Sequence, residues 1–430
     1  NQYDTESLRT LIKASGRYRN VGSRDDADVY VVNSCSVTAR ADATARKAVR
    51  RIHAEHPQAQ IVVTGCYAQR APQDLAALEG VSLVVGAADR ARIVSELDQI
   101  VAGETKVAVS AIEDAKTFLE VPITEMMERS RAFVKVQEGC NESCTFCIIP
   151  QTRGKSRSRE PGKVVEQVRA LVGAGYVEIV LTGVHVGDYG LDLAGERRRL
   201  CELIREVLAV PGLARFRLSS IEPASITDEL IELAASEPKF ARHFHIPFQS
   251  GNDEVLARMQ RRYRVSDFRS VVERIARAMP GCGIGTDVIC GFPGESDEQF
   301  QDTFDCLVDL PVTYIHPFTY SSRPGSAAAD FVDHVAGDIK KRRTRALKRL
   351  SGEKSAAARV AHVGTSVKVL PEVDVVGNNP PDDVTGMWHG NGWTDNYLKV
   401  ELVSTVPLVN QLTEVCLTGV NDSALLGRCD

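Results

Sequence analysis

Several features are scarce in this 430-residue chain, and each scarcity removes a class of protein. No run of about 18 or more uncharged apolar residues occurs, which argues against a helical membrane span. The first residues do not form a basic-then-apolar leader, so the expected location is the cytoplasm. An excess of basic residues is also missing. The 52 Lys and Arg against 57 Asp and Glu leave a formal net charge of -5, which gives no global case for nucleic acid. Any such case must be local. A framework of paired cysteines is missing too: the eleven thiols are an odd number, most lie inside apolar patterns, and they are expected to be reduced. What remains is 43% hydrophobic and 25% charged, the range of a water-soluble globular protein, in a chain long enough for two or three domains.

The first hundred residues alternate short Val/Ile runs, "DVYVVNSC", "AQIVVTGC" and "VSLVVG", with helical patterns. Continuous apolar runs separated by helices indicate a parallel sheet covered on both faces. Cys35 and Cys66 each fall just beyond the carboxyl end of a strand, the edge of a parallel sheet where ligands bind. Each could be a ligand or a small buried hydrophobe. Residues 104–130 lose the pattern and read as a connector. From 131 six β-then-α units follow, from "AFVKVQEG" to "TYIHPFTYSSRPG", which predicts a parallel barrel or part of one. A basic helix over 338–360 leads into closely spaced strands with Gly/Asn turns, a small antiparallel barrel.

The densest chemistry lies in "EGCNESCTFCIIP", residues 138–150, where Cys140, Cys144 and Cys147 crowd into eight positions. Core packing does not explain three polarizable thiols in one loop, so joint metal binding is expected. Zinc would normally bring a second Cys or His pair at fixed spacing, and none lies nearby. A cubane iron–sulfur cluster usually takes four thiolates, and three leave one iron open to another ligand.

This spacing, with an aromatic before the last cysteine, resembles the cluster loop of radical S-adenosylmethionine enzymes. With "CTFCIIPQTRGKSRSR", "LTGVHVGDYG", "LSSIEP", "HIPFQSGND", "GTDVICGFPGES" and "YSSRPGSAA", the chain resembles their methylthiotransferase branch along nearly its whole length. The resemblance implies an α/β architecture in three parts: a parallel α/β domain over 1–110, a partial (β/α)6 radical-SAM barrel over 126–357, and a TRAM-like RNA-binding barrel over 358–425. It implies that the open iron on Cys140, Cys144 and Cys147 binds S-adenosylmethionine, which is cleaved to methionine and a 5'-deoxyadenosyl radical. It also implies a second 4Fe-4S cluster, with Cys35 in "NSCSVT" and Cys66 in "TGCYAQ" as ligands. The family places the third ligand in a Gly-Cys pair just upstream of a segment like "NQYDTE", where this chain begins at Asn1.

Several strand-end residues are candidates to hold the cofactor: Gly183 and Asp188, Glu222, Gln249 with Ser250, and Asp287. The carboxylate of Asp287 lies inside an apolar strand and requires a partner. His185, His243 and His245 read as core or rim histidines, since thiols account for both clusters. The local case for RNA rests on "RGKSRSR" (153–159), on "KKRRTRALKR" (340–349), which is otherwise a solvated helix face, and on Trp388, His389, Trp393 and Tyr397, which could stack on bases or equally fill the core of the terminal barrel.

The segment "NQYDTE" is most similar to the members of the branch that act on N6-threonylcarbamoyladenosine, so the resemblance implies transfer of sulfur and methyl to carbon 2 of that base next to the anticodon of tRNA, with a reducing electron donor and a sulfur source as further partners. N6-isopentenyladenosine and a ribosomal-protein aspartate are the rival substrates within the branch. An RNA-binding iron–sulfur redox sensor is the non-enzymatic rival.

Overall fold

The computed structural model describes all residues except 1, 23–24, 102, 127–129, 195–198, 373–386, 409 and 430. The chain divides into two compact units, one of Asn1–Ile123, Gln137–Arg159 and Ser321–Asp330, the other of Thr124–Val136, Glu160–Tyr320 and Phe331–Asp430. Among the described residues no helix is long and apolar enough to cross a membrane.

In the first unit, β1 (Val29–Ser34), β2 (Gln60–Gly65), β3 (Val81–Val85) and β4 (Lys106–Ala108) form one parallel sheet in that order. Both faces are covered. Val49, Val63, Tyr67 and Leu75 fill one core cluster, and Leu8, Ile12, Val62, Leu83, Val85 and Ile93 fill the other. β4 corrects the reading of 104–130 as a featureless connector. Three residues are too short to show a period, and only pairing with Leu83 to Val85 reveals the strand.

The second unit contains most of a parallel barrel. Its strands are β5 (Arg131–Glu138, whose last two residues belong to the first unit), β7 (Glu178–Gly183), β8 (Arg215–Leu218), β9 (His243–His245), β10 (Gly283–Cys290) and β11 (Tyr314–Thr319). A two-residue β6 (Arg157–Ser158) pairs antiparallel to the end of β5. The ladder runs β5-β7-β8 and again β9-β10-β11. Among the described residues, an isolated parallel bridge links Phe216 on β8 to Phe240, just before β9. Helices such as Pro161–Gly173 and Val265–Ala278 bury Val/Leu/Ile faces on the outside of this wall.

The helix Gly337–Val360 leads to β12 (Ser366–Pro371), β13 (Trp388–Thr394), β14 (Lys399–Ser404), β15 (Thr413–Val420) and β16 (Leu425–Arg428), which close into a barrel. The expected antiparallel pattern holds for every pair but one, because β14 and β16 run parallel. An odd number of strands cannot alternate in direction around a closed ring, so one parallel seam is unavoidable.

Candidate metal centre

The three-cysteine loop is built as a closed hairpin. Gln137 and Glu138 pair with Ser158 and Arg157, and Cys140 N donates to Gly154 O at 3.0 Å, so the loop's two ends are tied together. Gly139 is at φ +75°, and a Cβ there would lie 2.0 Å from Lys155 O. Only glycine allows that approach. Inside the loop Cys147 N donates to Cys144 O at 3.0 Å. Two backbone amides turn toward sulfur: Glu142 N lies 3.4 Å from Cys140 Sγ and Ile149 N 3.5 Å from Cys147 Sγ. Burial pushes the Cys140 thiol up to about 12, and the neighbouring Cys147 and Cys144 sulfurs add to this. A buried thiol that resists ionisation beside two further sulfurs needs a cation to hold it as a thiolate, while N–H donors aimed at sulfur suit a cluster.

Cys35 and Cys66 lie in the same unit. They follow Ser34 and Gly65, which are register partners on β1 and β2. Gly65, at φ +95°, would place a Cβ 2.3 Å from Ser34 O, so the two strand ends approach as closely as glycine permits. Arg153 Nε donates to Cys66 Sγ at 3.1 Å. The same guanidinium meets Asp4 at 2.7 Å and Glu138 at 2.6 Å, and Arg90 pairs with both carboxylates, reaching Glu138 at 2.6 Å. Burial opposes the charge on Arg153, but Asp4, Cys66 and Glu138 outweigh it and hold its pKa well above the ordinary value. Beside Cys35, Ser36 donates to Asp42 at 2.7 Å, and Arg70 and Arg323 each donate to the Ser36 hydroxyl at 3.0 Å. Both arginines also pair with Asp42.

The second unit carries the other six candidates. Gly183 ends β7, and Asp188 closes the 3-10 turn Val186–Asp188 with its carboxylate 3.4 Å from His185 Nδ1. Glu222 pairs with Arg261. Gln249 sits at φ +64°, a strained conformation for a side-chain residue, fixed by its N–H to Asp287 O at 2.8 Å and its carbonyl to Ile289 N at 3.0 Å. Ser250 is buried with its hydroxyl 3.4 Å from that of Thr303. Asp287 has the partners its position demanded: His245 Nε2 at 3.0 Å and His316 Nδ1 at 3.5 Å. Burial would raise its pKa, but the two imidazole hydrogen bonds outweigh this and hold it at about 2. His243 lies buried, well below its ordinary pKa because of that burial and of the nearby Arg217.

With this geometry in place, comparisons with known proteins become decisive. Residues 134–307 match the Radical SAM superfamily and residues 1–86 match the Uncharacterized protein family UPF0004. The Bacillus subtilis threonylcarbamoyladenosine tRNA methylthiotransferase MtaB is 38% identical over 96% of this chain and 90% of its own length. The Aquifex aeolicus protein of the same name is 41% identical over 82% and 86%. This chain belongs to the radical SAM methylthiotransferases. A tRNA-2-methylthio-N(6)-dimethylallyladenosine synthase from Nocardia farcinica, 35% identical over 86% of this chain and 75% of its own length, represents another specificity. Among solved structures, the radical S-adenosylmethionine methyltransferase TsrM from Kitasatospora setae shares the fold, with a TM-score of 0.57 at 17% identity over 76% of this chain and 72% of that one.

Membership implies a 4Fe-4S cluster and S-adenosylmethionine, and the loop of Cys140, Cys144 and Cys147 fits them as a three-thiolate donor set with inward-facing amides. The burial of the basic run and of the barrel aromatics bears on RNA contact in this methylthiotransferase. Arg153, Arg157 and Arg159 are only 8%, 7% and 3% exposed. Arg153 is paired as above, Arg157 donates to Lys155 O at 3.0 Å, and Arg159 pairs with Glu120 at 2.7 Å. Only Lys155 of that basic run points to solvent. Charge composition could not reveal this, because the acidic partners are distant in sequence. Of the four aromatic candidates, Trp388 belongs to the core of the terminal barrel. Trp393 stacks on Tyr397 at 4.6 Å, and Tyr397 lies 4.7 Å from His243. His389 alone is exposed. Sequence reasoning also passed over Asp4, Glu138, Arg217, Tyr314 and His316, none of which sits in a recognisable spacing.

Proposed function

We propose that this methylthiotransferase converts N6-threonylcarbamoyladenosine next to the anticodon of tRNA to its 2-methylthio derivative. The observation that carries this reading is similarity over 82–100% of the chain, 33–41% identical, to five proteins named as threonylcarbamoyladenosine tRNA methylthiotransferases. A second reading, N6-isopentenyladenosine as substrate, is favoured by the Nocardia farcinica relative.

An aromatic C–H bond is inert to acid–base chemistry at pH 7, and the cluster with S-adenosylmethionine, when bound, supplies the radical chemistry that opens it. The chain's own residues have the remaining tasks. Cys140, Cys144 and Cys147 hold the first cluster, on which Glu142 N and Ile149 N act as donors. Cys35 and Cys66 hold a second cluster for sulfur delivery, with Arg153 fixing the position of Cys66 and Arg70 and Arg323 fixing the turn that carries Cys35. Gly183, Asp188, Glu222, Gln249 and Ser250 form the cofactor-facing set at the barrel strands. Residues 1–110, 126–357 and 358–425 act as the cluster, radical and RNA-binding parts, with RNA meeting exposed basic groups such as Lys341, Arg342, Arg345, Lys348 and Arg349. A reducing electron donor and a sulfur source complete the cytoplasmic reaction.

The test is anaerobic turnover of cluster-loaded protein with S-adenosylmethionine, a reductant and tRNAs bearing either modified adenosine. Mass spectrometry should find the methylthio group on the threonylcarbamoyl nucleoside. Its appearance only on the isopentenyl nucleoside would transfer the assignment to the second reading. If 5'-deoxyadenosine does not exceed that of a Cys144→Ala control, the protein is no enzyme and the redox-sensor reading takes over.

A further inference from the structure

Three adjacent strands of the parallel barrel bring ligand-type side chains to one point. Asp287 on β10 and His316 on β11 are register partners, and His245 on β9 is the partner of Gly285, two residues earlier on β10 and therefore on the same face. His245 Nε2 and His316 Nδ1 lie 3.0 and 3.5 Å from Asp287 Oδ1, and the three ligand atoms are all within 4.8 Å of one another. Bonds of about 2.0–2.1 Å at tetrahedral angles place neighbouring ligand atoms about 3.3 Å apart, and the two edges to Asp287 bracket that value for zinc.

The surroundings continue the pattern. A histidine that binds metal through one nitrogen is normally oriented by a hydrogen bond at the other. His245 Nδ1 lies 3.2 Å from the Tyr314 hydroxyl, which in turn lies 2.9 Å from His243 Nε2. Space for the Tyr314 ring exists because residue 285 is glycine: a Cβ there would fall 2.1 Å from the ring. The His316 side chain is 55% exposed, which leaves a route for an ion to enter and for a fourth ligand to bind.

We infer that His245, Asp287 and His316 form a third metal site, independent of the cysteines, that takes a borderline divalent cation, zinc above all, with one coordination position open to an oxygen ligand. Two imidazoles and a carboxylate are the donor set such a cation prefers, and three protein ligands with an open position form a reactive rather than a sealed site. This gives Asp287 a ligand role in place of a contact to S-adenosylmethionine. The inference does not depend on which tRNA nucleoside is the substrate.

The test uses the full chain with its iron–sulfur clusters loaded, so that the cysteines are occupied. Zinc is added anaerobically, the protein is desalted, and bound zinc and iron are counted by mass spectrometry, with affinity measured by competition against a chromophoric chelator. One zinc per chain should be retained. His316→Ala, at a half-exposed position where folding is not at stake, and Asp287→Asn should each weaken zinc binding at least about a hundredfold with iron content unchanged. Tyr314→Phe, which removes the hydroxyl between His245 Nδ1 and His243 Nε2 and no proposed ligand, should weaken it about 10–100-fold. Failure of the wild-type chain to retain zinc, or equal retention by His316→Ala, would overturn the site.

Discussion

Replacing Arg153 with Met tests how the thiol sites are held. Asp4 and Glu138 oppose Arg90 and Arg153 in a buried group, with Arg157 4.0 Å from Glu138, every side chain in it less than 10% exposed. Removing the Arg153 guanidinium takes a close cation from both buried carboxylates, leaving Arg90 beside the pair and Arg157 at 4.0 Å from Glu138. Breaking a buried pair in this way costs about 3–5 kcal/mol. In a unit of this size each kcal/mol shifts Tm by about 2–4 °C, so the substitution should lower it by about 6–20 °C. Scanning calorimetry on anaerobic protein reads this directly, with Lys155→Ala as the exposed neighbour expected to stay within about 0.5 kcal/mol. Arg153→Lys should recover most of the stability, since a point charge still neutralises the acids, but not the donor to Cys66. A Tm for Arg153→Met within about 2 °C of wild type would refute the argument, since it corresponds to less than one kcal/mol.

Two other outcomes follow from the geometry. Gly139→Ala should strip the cluster loop of its iron, because the added methyl meets Lys155 O and residue 139 cannot leave φ +75° without opening the hairpin; iron per chain after reconstitution, counted against Lys155→Ala, should fall at least about tenfold, and full occupancy would show that the hairpin can yield. Asp287, held at about 2 by His245 and His316 once burial is overcome, has a folded pKa below the 3.8 of a free aspartate. Its contribution is therefore present above about pH 4 and lost as pH falls from about 4 to about 2, on the order of 2 kcal/mol. Denaturant titrations across that window should be flatter for Asp287→Asn, and parallel curves would show that the imidazoles do not hold the carboxylate.

Legibility varied with the range of the physics involved. Cys140, Cys144 and Cys147 were readable because three ligands in one short loop need no tertiary information. The Val runs of β1, β2 and β3 were readable because burial on both faces leaves an unbroken apolar string. β4 was not, since three residues carry no period. The basic run 153–159 misled for a similar reason: a charge in sequence looks the same whether it meets water or a carboxylate far along the chain, and Arg153 finds Asp4. Trp388 gave no sign of whether it would face solvent or core, since alternation places side chains on two faces but does not say which face is buried. His245, Asp287 and His316 converge only through strand register, which no local pattern encodes.

Arg153 is the last residue of the short helix that follows the cluster loop, yet its Nε rests on a sulfur of the other thiol pair. The three-cysteine segment is therefore not a portable cassette. Grafted onto another barrel it would carry a guanidinium with neither Asp4 nor Cys66 to receive it, so a designer borrowing this chemistry must transplant the helix Gln2–Ala14 and the end of β2 along with the loop, or replace the arginine.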